Sequence, residues 1–119
     1  MFTVFGFYKF KKCNFLKKNK ELLQREILKN KIRGTIILSS EGINGTIAGN
    51  KRNINRIIIT LKKVFRFKNF DSKNISKCAF QPFHTGKIKI KKEVVPLGLK
   101  INKKIKKRIN TFQINLGIN

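Results

Sequence analysis

Two short apolar runs, Gly34-Thr35-Ile36-Ile37-Leu38-Ser39 and Thr46-Ile47-Ala48-Gly49, are separated by Ser40-Glu41-Gly42-Ile43-Asn44-Gly45. Asn-Gly between apolar segments is a strong hairpin signal, because both residues tolerate the positive φ of a tight turn. The segment therefore predicts a strand over 33–39, a loop through Glu41, Gly42, Asn44 and Gly45, and a short strand over 46–49. A lone hairpin is marginal in water, so the fold depends on what flanks it.

On the N-terminal side, residues 2–10 predict a central strand, with Phe2, Val4 and Tyr8 on one face and Phe5 and Phe7 on the other. Residues 14–30 follow with Phe15, Leu16, Leu22, Leu23 and Ile27 at helical spacing and Asn14 as the capping residue. Beyond the hairpin, Asn50 offers a second cap, and Ile54, Ile57, Ile58, Leu61 and Phe65 fall on one helical face. A fourth strand is expected over 75–83, closed by Pro82, which cannot donate to a ladder. The order strand, helix, strand, strand, helix, strand is the ferredoxin-like plan: an α+β fold with an antiparallel sheet and two helices on one face. Lys87-Ile88-Lys89-Ile90-Lys91 then alternates as an extra, half-buried basic strand. At 119 residues the chain suits a single domain, placed at 1–99. Residues 100–119 are expected as a basic tail, with 100–108 either a short helix or solvated.

The net charge of +24, from 29 Lys and Arg against 5 Asp and Glu, makes a polyanion the natural partner, with nucleic acid first. AT-rich codons are the competing explanation, since they encode Lys, Asn and Ile. Glu also has an A-rich codon, yet only Glu21, Glu26, Glu41 and Glu93 occur. Lys87, Lys89, Lys91 and Lys92 are the candidate RNA-binding residues, tracking phosphates without reading sequence; the bland alternative is a solvated strand face. Phe5, Phe7 and Phe80 either stack on bases or pack inward, and Thr46-Ile47-Ala48, which supplies no aromatic partner, favours the core. No stretch has the apolar length to cross a bilayer, and Lys9, Lys11 and Lys12 interrupt the opening apolar run too early for a signal peptide. A cytoplasmic protein is expected. Cys13 and Cys78 are far apart, with His84 the only other soft ligand, so no metal site, cofactor or redox pair is expected.

The run from Gly34 to Gly49, with Ser40-Glu41-Gly42-Ile43-Asn44-Gly45-Thr46 at its centre, resembles the signature of the rhodanese-related tRNA uridine(34) hydroxylases. Pro82-Phe83 and Lys87-Ile88-Lys89-Ile90-Lys91-Lys92-Glu93-Val94-Val95-Pro96-Leu97-Gly98 resemble a second, later segment of the same family, and Phe7-Tyr8-Lys9-Phe10 resembles its usual start. The resemblance covers residues 1–100. It implies an N-terminal acylphosphatase-like domain that precedes a rhodanese domain, whose cysteine is required for oxygen-dependent formation of 5-hydroxyuridine at the tRNA wobble position. The chain stops near the point where that second domain is expected to begin, as a degraded, split or fragmentary gene would. Neither cysteine lies in a rhodanese-type loop, so the resemblance transfers no catalytic residue. The implied partners are tRNA and a rhodanese-type catalytic domain acting in trans. For Glu41, Gly42, Asn44 and Gly45 two readings stand open, turn geometry or contact with tRNA or the catalytic domain. Acylphosphatase chemistry is not implied, because Phe10-Lys11-Lys12-Cys13-Asn14-Phe15 lacks the glycine-rich, arginine-bearing phosphate loop. A generic RNA-binding module and a docking domain for a separate rhodanese protein remain the alternatives.

Overall fold

A computed structural model describes residues 1–92. Its elements are β1 (Phe2–Phe10), α1 (Leu16–Lys29), β2 (Arg33–Ser39), β3 (Gly42–Gly49), α2 (Lys51–Phe65), β4 (Ser72–Cys78) and β5 (Gly86–Ile90). The strands form one sheet in the order β4-β1-β3-β2-β5. The first four pair antiparallel and β5 adds parallel to β2, so the ferredoxin-type sheet acquires a parallel edge. The tail expected over 100–119 and the last part of the domain expected over 1–99 lie outside the described residues.

Strand alternation decides which residues face the helices. Phe5 and Phe7 of β1, Ile43 and Ile47 of β3, Ile36 and Leu38 of β2 and Ile88 of β5 point to one side and join one core cluster. Leu23 and Ile27 of α1 and Ile54, Ile57, Leu61 and Phe65 of α2 close over them. Each such fully buried side chain contributes about 1.5–3 kcal/mol of transfer free energy. Phe5 and Phe7 stack at 5.2 Å, and Phe70 packs on both. Two of the three aromatics considered for base stacking, Phe5 and Phe7, are therefore core residues, as the composition of β3 favours. Phe80 is exposed, beyond the end of β4.

Helix α2 follows the periodicity closely. Asn50 accepts from the Asn53 amide at 2.8 Å, a cap that contributes about 1 kcal/mol. Helix α1 starts differently from the expectation. Its N-cap is Phe15, in the left-handed region, and Asn14 caps nothing with its side chain; its carbonyl instead accepts from the Asn19 side-chain amide. The C-terminus of α1 closes as a Schellman turn, with Lys31 N donating to Leu28 O and Ile32 N to Ile27 O. Lys31 holds the left-handed position at φ 54° that glycine ordinarily takes.

Two strand boundaries are corrected. Strand β4 spans Ser72–Cys78 rather than 75–83, because its register is set by pairing with β1 from Phe2↔Cys78 to Tyr8↔Ser72. Pro82 and Phe83 instead lie in the segment that connects β4 to β5 at one end of the sheet, tied by Gln81 Nε2 to Ala48 O and Arg33 Nη1 to Phe83 O. Strand β3 begins at Gly42 rather than Thr46. Register runs Ser39↔Gly42, Ile37↔Asn44 and Ile36↔Gly45, so the loop is the two residues Ser40 and Glu41.

Candidate nucleic-acid interface

The signature segment divides between turn and sheet. Asn44 and Gly45 have no positive φ and sit mid-strand, between Tyr8 and Phe7 of β1 and Ile37 and Ile36 of β2. Turn geometry therefore explains neither of them, and the turn reading is overturned for this pair. A methyl at Gly45 would lie 2.7 Å from the Thr35 carbonyl oxygen and 3.0 Å from the Phe7 ring. Gly45 is thus required by close packing rather than by backbone freedom. Asn44 is buried on the other face of the sheet.

The turn itself is fastened to the loop between β1 and α1. Glu41 N donates to Ser39 Oγ at 3.0 Å, Lys11 N to Glu41 O at 2.9 Å and Cys13 N to Ser40 O at 3.0 Å. Glu41 is half-buried here, so its backbone locks two connections together. Asp71 completes this end of the sheet: its carboxylate accepts from Phe10 N at 2.6 Å and pairs with Lys9 Nζ at 3.3 Å. The buried Tyr8 hydroxyl is pushed well above its ordinary range, first by burial and then by the Asp71 charge. A phosphate cradle in the β1–α1 loop needs converging amide hydrogens. Those of Phe10, Lys11 and Cys13 are already committed within the protein.

Cys13 is buried and its thiol donates to Lys11 O at 3.1 Å. Burial raises its pKa, and nearby Lys11 opposes this in part. A thiol whose folded pKa is raised keeps its proton longer in the folded state. Its contribution to stability is therefore present below the ordinary thiol range and is lost as pH rises through that range toward the raised folded value. Cysteine reacts as thiolate, so iodoacetamide at pH 8 is expected to modify the half-exposed Cys78 first and Cys13 only on unfolding. Peptide mass mapping over time checks this; equal labelling rates would contradict it.

The opposite, helix-free face of the sheet carries a row of lysines on β5. Lys87 pairs with Thr35 and Lys89 with Ile37, while Ile88 between them enters the core. Lys91 continues the ladder by donating its amide to Leu38 O at 2.8 Å. The lysines at 87, 89 and 91 therefore share one face at about 6.6 Å intervals, and with Lys92 all are exposed. The half-buried strand expected here is more open than its alternation suggested: Ile88 is buried and Ile90 exposed. Edge position explains this, since β5 has a neighbour on one side only. The signature segment and the lysine strand meet across β2, with Asn44 opposite Ile37 and Ile37 opposite Lys89. Arg33, exposed on the same face, extends the cationic row at its start; its separation from the lysines in sequence concealed it. Among the described residues no group of His, Cys, Asp and Glu is arranged to hold a metal, and no helix is long and apolar enough to cross a membrane.

A βαββαβ core with its helices on one face and a hydrogen-bonded β1–α1 loop defines an acylphosphatase-like domain of ferredoxin type. Residues 2–94 match the family model described as the UPF0176 acylphosphatase like domain, and the chain belongs to that family. A curated relative, the tRNA uridine(34) hydroxylase of Pelagibacter ubique (strain HTCC1062), is 59% identical over 107 residues, covering 90% of this chain and 36% of the relative. The chain thus spans about a third of that relative's length. Among solved structures, Klebsiella pneumoniae BlrP1 in a manganese and cyclic-diGMP complex has a TM-score of 0.60 at 12% identity, over 77% of this chain and 24% of that one. An acylphosphatase from Coxiella burnetii has a TM-score of 0.51 at 9% identity, over 73% and 90%. These likenesses show the shared fold.

Proposed function

We propose that this chain is the RNA-binding part of a tRNA uridine(34) hydroxylation system and performs no hydroxylation by itself. The observation that carries the reading is the row Lys87, Lys89, Lys91, exposed on the helix-free face of β5, together with a relative whose name is that activity. Lysines on an edge strand neutralise phosphates and position RNA without selecting its sequence. The oxygen-dependent step is assigned to a rhodanese-type cysteine outside this chain, acting in cis or in trans. Cys13 suits no such role, because burial holds it as the thiol.

Two measurements test this. In anisotropy titrations at moderate salt, tRNA is expected to bind more tightly than unrelated structured RNA of equal length; equal affinity would favour a generic RNA-binding module. Incubation of the pure chain with tRNA under oxygen is expected to leave uridine unmodified. A mass gain of one oxygen atom on that uridine would overturn the non-catalytic assignment.

A further inference from the structure

A cavity of about 840 Å³ opens at the end of the sheet opposite the β1–α1 loop, where the segment from β4 to β5 bonds to the end of β3 and the start of β2. Its volume lies within the roughly 300–1,000 Å³ of small-molecule sites. Phe2 and Leu28, backed by the buried Ile27 and Ile32, give it an apolar wall, and the lining also includes Lys31, Arg33 and His84. An apolar wall beside two cationic side chains fits a ligand that is flat and apolar at one end and anionic at the other.

The cavity also lies near the lysine row. Arg33 is followed by Gly34, which pairs with Gly86, and Lys87 follows on the paired strand. Arg33 at the cavity is therefore a near neighbour of the lysine row that runs along β5. We infer that the cavity receives one nucleotide of the bound RNA, its base against Phe2 and its phosphate between Lys31 and Arg33. This rests on the RNA-binding reading above.

Lys31 supplies an independent observation. It occupies the left-handed position of the Schellman turn, where a non-glycine residue costs about 1 kcal/mol. Its cationic side chain suits the C-terminal end of α1 and also lines the cavity, within reach of an anionic ligand. Gln81, the amide side chain in the lining, gives its Nε2 to Ala48 O and accepts Phe83 N at its Oε1. Its hydrogen-bonding groups are committed within the protein, so Gln81 does not read the base, and the ring of Phe2 offers the base a stacking surface.

The test is titration of the full chain with uridine 5′-monophosphate, followed by amide NMR, with uridine and inorganic phosphate as comparison arms. Uridine 5′-monophosphate is expected to shift the amides of Phe2, Ile32, Arg33 and Thr85 and to bind more tightly than either comparison ligand. Lys31→Gly is expected to raise the unfolding midpoint while weakening uridine 5′-monophosphate about two- to fivefold, the scale of one exposed charge contact. Phe2→Leu keeps the apolar wall, removes the stacking ring and is expected to weaken both the mononucleotide and tRNA at least about fivefold. Mononucleotide shifts elsewhere, or unchanged affinity in Lys31→Gly, would overturn the inference. If tRNA binds and the mononucleotide does not enter, the cavity assignment fails and RNA binding stands. If tRNA does not bind at all, RNA binding fails, and the cavity assignment to a nucleotide of bound RNA fails with it.

Discussion

Replacing Lys87, Lys89, Lys91 and Lys92 together by glutamine is expected to lower tRNA affinity by about 10²- to 10³-fold at 0.1 M salt, leaving the fold intact. Each lysine that neutralises a phosphate releases counterions, and each adds about 0.9 to the slope of log affinity against log salt on duplex RNA or DNA. Removing three or four such contacts therefore flattens the slope by about three units and removes the affinity that slope represents. All four side chains are exposed, so unfolding midpoints should barely move. The control is the same number of substitutions at Lys17, Lys18, Lys20 and Lys63, which are exposed on the helices. Those helices cover the other side of the sheet. Binding driven by overall charge, as codon composition alone would produce, predicts equal losses for both sets. Binding along β5 predicts a loss for the strand set alone. Anisotropy titrations at several salt concentrations separate the two.

Gly42→Val is expected to cost about 3–5 kcal/mol, a large fraction of a domain stability of roughly 5–15 kcal/mol. Gly42 adopts φ 151°, which L side chains rarely take, and any Cβ there would run into the Lys9 carbonyl oxygen. Strain at such a backbone position costs about 1–3 kcal/mol, and forced overpacking adds about 1–3 more. Both obstacles are backbone, so no rotamer change relieves them. Gly42 also begins the strand that pairs with β1 and β2 at once, at Phe10↔Gly42 and Ser39↔Gly42. Chemical denaturation of the variant measures the loss. A midpoint within experimental error of the parent protein would show that the turn can be rebuilt and that the glycine is dispensable.

Much of the scaffold was legible from residue order. Strand β1 occupies the span its apolar run marked, and α2 buries Ile54, Ile57, Leu61 and Phe65 as their spacing required. Asn50 caps α2 because a short side-chain oxygen ahead of a helix can reach an amide locally. Such features depend on neighbours within a few residues. The first helix shows the limit: Asn14 had the chemistry of a cap, but the loop ahead of α1 is pinned to the hairpin by Cys13 N and Lys11 N, and Phe15 takes the cap position instead.

The candidate site was legible in part. The alternation of Lys87, Ile88, Lys89, Ile90 and Lys91 correctly gathered the lysines onto one face. It could not say which face, nor that Arg33 lies in the same cationic row, since those depend on β5 pairing with β2 across more than fifty intervening residues. Asn44 and Gly45 carry the local signature of a turn. They are held in a strand by ladders on both sides, and the Phe7 ring occupies the space a side chain at Gly45 would need. Long-range pairing outweighed local propensity there, as it commonly does in sheets.

Taken alone, the sequence determined the order of elements, the apolar faces, the ferredoxin-like class and the strong positive charge, because periodicity and composition are local properties. Only the tertiary structure decided that the turn is Ser40-Glu41, that Asn44 and Gly45 belong to the sheet, and that β4 ends at Cys78. It also decided that the basic strand adds parallel to β2 beside an apolar cavity. Register and edge placement arise from pairing between distant segments, and a one-residue shift would have turned every lysine of β5 into the core.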